Sequence, residues 1–89
     1  MVYDTKNRFL FRGMKAIRLS KLERKLIVLL SSKKLSTYEE LAKNLYDSDF
    51  ETKELSIRTL IKRFKDKTRL NVVAMHGRGY ILKDDIYFK

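Results

Sequence analysis

The chain has 89 residues, 44% of them hydrophobic, with 21 Lys and Arg against 11 Asp and Glu, a formal charge of +10. That length allows one domain with a modest core, and the hydrophobic share argues against intrinsic disorder. The charge favours a polyanionic partner (nucleic acid, an anionic membrane surface or an acidic protein face), and the absence of cysteine excludes disulfides, thiolate metal sites and cysteine nucleophiles.

The longest apolar run, Leu26 to Leu30, is far too short to cross a bilayer. The first residues lack the apolar core and small-residue cleavage site of a signal peptide, so a cytoplasmic protein is expected. There is no proline, repeat, low-complexity stretch or linker, and residues 1–89 read as a single unit.

The N-terminal part reads as strands. Phe9-Leu10-Phe11 is short and apolar, Gly13 can turn the chain, and Lys15 to Leu19 alternates, which predicts a small antiparallel sheet. Ser20 and Glu23 then form a capping-box pair, followed by Leu22, Leu26, Leu29 and Leu30 at helical spacing. Ile27 and Val28 make the last turns apolar nearly all round, which predicts a central helix.

A second capping box, Ser36 with Glu39 or Thr37 with Glu40, opens a helix whose stripe is Tyr38, Leu41, Ala42 and Leu45. Asp47 to Glu51 reads as an acidic turn region. Thr52 is the expected cap of a third helix, about 53–67, with Ile57, Leu60, Ile61 and Phe64 toward the core. Leu70 to Met75 and Tyr80 to Leu82 then flank His76-Gly77-Arg78-Gly79 as a hairpin. The order of strands, three helices and a hairpin predicts an α+β winged helix-turn-helix domain: an N-terminal antiparallel sheet, three helices and a C-terminal β-hairpin wing. Its core covers about residues 3–82, with a tail at 83–89.

The third helix carries the chemistry. From Leu55 to Arg69 the basic residues are Arg58, Lys62, Arg63, Lys65, Lys67 and Arg69, against one acid, Asp66. At about 100° per residue they occupy two flanks: Arg58, Lys62 and Lys65 on one, and Ser56, Thr59, Arg63 and Lys67 on the other, with Leu60 on its shoulder. A merely solvated face usually mixes charges in i, i+4 pairs, whereas this one is nearly one-signed. A helix fits the DNA major groove, where arginine reads guanine and methyl-bearing side chains touch thymine, while flanking lysines meet phosphates. Arg78, between two glycines at the hairpin tip, can reach a minor groove or a phosphate.

Four segments together resemble the OmpR/PhoB-type effector domain of bacterial response regulators: Leu19-Ser20-x-x-Glu23-x-x-Leu26-Ile27-x-x-Leu30, Thr37-x-Glu39-x-Leu41, Ile57-x-x-x-Ile61-Lys62-Arg63-Phe64-Lys65, and His76-Gly77-x-Gly79-Tyr80. The match spans about Tyr3 to Leu82. It implies a four-stranded N-terminal sheet, a transcription factor of a two-component system, and head-to-tail dimers on direct repeats of double-stranded DNA. It also selects the flank that meets the bases: Ser56, Thr59, Leu60 and Arg63. Phosphate contacts are implied for Thr37, Tyr38, Lys62, Lys65 and Lys67, and wing contacts for His76 and Arg78. Asp47, Asp49 and Glu51 match a loop that touches RNA polymerase in that family, although acids there also suit a solvated loop and helix start.

The departures are Arg24 where the family usually has an aromatic residue, Tyr46 for tryptophan, His76 for arginine, Leu60 at an often polar position, and Arg58 where an acid is frequent. Nothing in the chain could serve as the phosphoacceptor receiver domain. No enzyme, metal or cofactor is expected, since there is one histidine and no HExxH, P-loop or GxSxG arrangement. The alternative to DNA binding is a winged helix that docks on an acidic protein surface. RNA binding is disfavoured because most aromatics, Phe9, Phe11, Tyr38 and Phe64, fall on expected core positions. Ile86-Tyr87-Phe88 reads as an extra strand or a docking tail, a tail of this kind most often packing on its own domain.

Overall fold

The computed structural model describes residues 1–32 and 34–89. Its elements run β1 (Val2–Asp4), β2 (Phe9–Arg12), β3 (Lys15–Arg18), α1 (Lys21–Ser32), β4 (Ser36–Thr37), α2 (Tyr38–Tyr46), α3 (Phe50–Thr68), β5 (Val72–Met75), β6 (Gly79–Leu82) and β7 (Tyr87–Phe88). Two sheets result, with strand orders β3-β2-β1-β7 and β4-β6-β5.

The first sheet has four strands, but only three come from the N-terminus. The fourth is β7, from the tail, and it runs parallel to β1 with Tyr87 beside Val2 and Phe88 beside Tyr3. Tyr3, Leu10 and Ile17 form one cross-strand row, all buried. The ring of Phe88 meets Tyr3 edge-on at 5.7 Å, so the tail closes this face. Because alternation gives the inner position to Leu10, Phe9 and Phe11 both point outward. Phe11 is 37% exposed, which corrects its expected core position.

Helix α1 starts as its sequence predicts. The Ser20 backbone N–H donates to Glu23 Oε1 at 2.7 Å, and the Glu23 N–H donates to Ser20 Oγ at 3.3 Å. Leu26, Ile27 and Leu30 are buried, while Val28 is 49% exposed, so the last turns of the helix, apolar nearly all round, are buried on one side only. At α2, Thr37 and Glu40 form the capping box. Asp47 ends the helix in the left-handed region at φ 51°, its N–H reaching the Ala42 and Lys43 carbonyls.

Helix α3 begins three residues before its expected start. Asp49, and not Thr52, is the cap: its carboxylate accepts the Thr52 backbone N–H at 2.8 Å. Both residue types can cap; Asp49 adds a negative charge at the positive helix end. Glu51 therefore lies in the first turn of α3, and only residues 47–49 connect the two helices. The far end of α3 is tied to the first sheet, since Arg12 Nη1 donates to the carbonyls of Thr68 and Arg69 at 3.1 Å each.

A long-range ion pair fixes α3 against α1. Lys67 Nζ lies 2.9 Å from Glu23 Oε1, and Glu23 is only 5% exposed. Burial alone would raise the Glu23 carboxyl, but the Ser20 N–H and the Lys67 ammonium outweigh it and hold the carboxyl below the usual glutamate range. A lowered folded-state value gives stability that is complete above the ordinary glutamate pKa of about 4.3 and is lost as pH falls through the folded value. Glu23→Gln is therefore expected to destabilise the protein by about 1–3 kcal/mol at pH 7, and by less at an acid pH below the folded-state value of the carboxyl. Urea unfolding at both pH values checks this, and an unchanged gap between the two proteins would contradict it.

The buried side chains form one core from all layers, including Leu10, Leu19, Leu26, Leu41, Ile57, Ile61, Phe64 and Val72. The second sheet joins it through Val72 and Tyr80; β6 packs on α1, and Tyr80 reaches Tyr38 of α2 and the outer flank of α3.

Candidate nucleic-acid interface

The buried stripe of α3 is Ile57, Ile61, Phe64 and Thr68, Phe50, Lys53 and Leu60 are half-buried, and the other residues of the helix are exposed. Ser56, Thr59 and Arg63 are exposed and Leu60 is half-buried. These four line a shallow groove together with Leu22 of α1 and Tyr46 of α2. Leu55 lines the same groove at 78% exposure. It was not singled out from the sequence, although its place four residues before Thr59 puts it on the outer face.

The opposite flank adjoins the hairpin. Arg58, Lys62 and Lys65 line a hollow with Tyr80 of β6. Burial pushes the Tyr80 phenol above its ordinary pKa, with the Arg58 charge opposing it. Arg63, Lys62 and Lys65 have no acid within ion-pair distance among the described residues. Arg58 does: its Nε donates to Glu54 Oε2 at 3.1 Å. Lys67, expected at a phosphate, has its ammonium on Glu23 instead.

The wing is a three-residue turn, with Met75 paired to Gly79 and the Arg78 N–H donating to the Met75 carbonyl at 2.9 Å. Gly77 adopts φ 74°, the left-handed region that glycine favours. His76 and Arg78 are exposed. The wing is locked to the start of α2: β4 pairs with β6, and the Tyr38 N–H donates to the Arg78 carbonyl at 3.2 Å. Gly79 makes this possible, because a Cβ there would lie 2.0 Å from the Ser36 carbonyl oxygen.

Aromatic packing unites the three elements. Tyr38 stacks on Phe50 with centroids 4.4 Å apart, and meets Tyr80 edge-on at 5.9 Å. Thr37 and Tyr38, expected at phosphates, are thus half-buried beside the wing, with Thr37 also capping α2. The acidic residues lie at the connection from α2 to α3. Asp47 is paired with Lys43 at 3.7 Å, Asp49 caps α3, and Glu51 is exposed on the first turn. Backbone donation from Thr52 holds the Asp49 carboxyl below its ordinary range. Among the described residues no cluster of His, Cys, Asp and Glu could hold a metal ion, and no helix is long and apolar enough to cross a membrane.

Three helices, a strand-capped helix pair and a hairpin wing define the winged helix-turn-helix class. The chain is similar to the crystal structure of the DNA-binding domain of Bacillus subtilis CssR, with a TM-score of 0.77 over 88% of this chain and 93% of that one, at 21% identity. The three helices and hairpin wing implied by the sequence resemblance are observed, whereas the implied four-stranded N-terminal sheet is built from three N-terminal strands and β7 of the tail. No family model and no curated protein matches the chain.

Proposed function

We propose that this chain binds double-stranded DNA sequence-specifically as a transcription regulator, with α3 in the major groove and the wing at residues 76–79 on a neighbouring minor groove or phosphate. The observation that carries this reading is an exposed, nearly one-signed cationic surface on α3 from Leu55 onward, beside a wing whose backbone is hydrogen-bonded to the start of α2. The similarity to a DNA-binding domain supports it.

In this reading Arg63 and Ser56 contact base edges. Thr59, Leu60 and the exposed Leu55 meet thymine methyl groups. Lys62, Lys65, Thr37 and Tyr38 contact phosphates, and His76 and Arg78 serve the wing. Lys67 is reassigned from DNA to the fold, because its ammonium holds Glu23. Direct repeats bound by a head-to-tail dimer, a contact of Asp47, Asp49 and Glu51 with RNA polymerase, and a cytoplasmic location complete the proposal. No catalytic step is assigned to any residue.

Leu55 favours the second reading, docking on an acidic protein surface, since an exposed leucine on α3 suits a protein partner. Selection of bound fragments from random duplex DNA separates the two. A recurrent motif, bound with an affinity that falls by about 0.9 log units per phosphate contact for each log unit of salt, is the expected result. Weak binding without a motif would favour the docking module.

A further inference from the structure

The base-reading residues assigned above all lie on the α1 side of α3, while the wing side carries an arrangement of its own. Arg58 is the one cation of that flank with an acid beside it among the described residues, Glu54, one turn earlier on the same helix. Both side chains are about half exposed, at 53% and 50%. An exposed i, i+4 pair adds little to stability. An acid facing a polyanion also opposes binding, so neither general effect accounts for a carboxylate at this place.

The geometry offers a specific use. Glu54 takes the Nε–H of Arg58 and leaves both Nη groups for another partner. Those two groups match the paired acceptors O6 and N7 of guanine. A guanidinium held through Nε is already oriented and loses less freedom on binding. Tyr80 of β6 bounds the same hollow. Five residues separate Arg58 from Arg63, which sets the two arginines about 140° apart around the helix and aims them at opposite sides of the groove.

We propose that Arg58 is a second base-reading side chain, specific for guanine on the wing side of the major groove, and that Glu54 is the positioning residue that holds it. The proposal rests on the DNA-binding reading above. Its test is selection from random duplexes by wild type, Arg58→Ala, Arg58→Lys and Glu54→Gln, each first checked for folding by thermal unfolding. The wild-type motif should contain a guanine that Arg58→Ala no longer selects. Arg58→Lys should not restore it, since a point charge cannot make the two-pronged contact. Replacing that guanine should weaken wild-type binding by about 5- to 150-fold and leave Arg58→Ala unaffected.

Glu54→Gln should flatten the same preference while tightening binding to random duplex, a combination that a purely structural role would not produce. An unchanged guanine preference in Glu54→Gln overturns its positioning role. A motif kept intact by Arg58→Ala, or an equal loss on all sequences, overturns base reading by Arg58 and leaves DNA binding standing. Failure of wild type to select any motif overturns both readings together.

Discussion

Replacing Gly79 with alanine is expected to destabilise the domain by about 3 kcal/mol or more, lowering the melting temperature by roughly 12–24 °C. The added methyl would sit 2.0 Å from the Ser36 carbonyl oxygen and 2.8 Å from Thr37 Cα, and both obstacles are backbone. Relief requires β4 to move away from β6. That movement would break the Ser36–Tyr80 and Thr37–Gly79 pairing and the Tyr38–Arg78 bond that seats the start of α2 on the wing. A chain of this size has roughly 4–13 kcal/mol of stability in all, so the loss is a large share of it.

Gly77 supplies the internal control. It faces open space but adopts φ 74°, so alanine there meets only backbone strain of about 1 kcal/mol. Thermal unfolding of the two variants should rank Gly79→Ala well below Gly77→Ala. Equal effects would mean that the close approach of β4 to β6 is not a determinant of the fold. In conditions where Gly79→Ala remains folded, its DNA affinity should also be reduced, because the wing and the helix pair are set against each other at this contact.

Arg63→Ala should cost about 1–3 kcal/mol on the selected duplex and little on random DNA. The double variant Lys62→Ala, Lys65→Ala should weaken both by similar factors and reduce the salt slope by about 1.8, or 0.9 for each lysine. All three side chains are exposed and have no acid within ion-pair distance among the described residues. Their removal should therefore change stability by no more than about 0.5 kcal/mol, which keeps the binding effects interpretable. Anisotropy titrations at two salt concentrations check the contrast. Equal losses for Arg63→Ala on selected and random duplex would make Arg63 a phosphate contact.

Local signals made much of this fold legible. The capping pairs Ser20–Glu23 and Thr37–Glu40 formed as their spacing implies, and the apolar periodicity found the buried positions Leu26, Leu41, Ile57, Ile61 and Phe64. The glycine-bearing segment marked the hairpin turn. What escaped depends on partners far apart in sequence. Lys67 reads as one more cation on a basic helix until Glu23, 44 residues away, is placed beside it. Tyr87–Phe88 pairs with the opposite end of the chain, and no short-range pattern encodes that. Asp49 and Thr52 are both good capping residues, so composition could not choose between them. Phe11 is outward because Leu10 holds the inner place in its row, which only the register with Tyr3 and Ile17 fixes.

The outer surface of α3 was legible as charge but not as geometry. Helical periodicity separated its two flanks, and the resemblance chose the one with Ser56, Thr59, Leu60 and Arg63. The groove that these residues share with Leu22, Tyr46 and the exposed Leu55, and the seat of Arg58 between Glu54 and the wing, exist only once the helices and hairpin are packed.

The central claim, that α3 and the wing form one DNA-binding surface, is tested most directly by backbone amide NMR of the labelled protein with its selected duplex. Shift changes should concentrate on residues 55–65 and 76–79 and on the start of α2 at Thr37 and Tyr38. A map centred instead on the cationic groove of Lys21, Arg24 and Lys25 in α1, or on the first sheet, with α3 unperturbed, would contradict it.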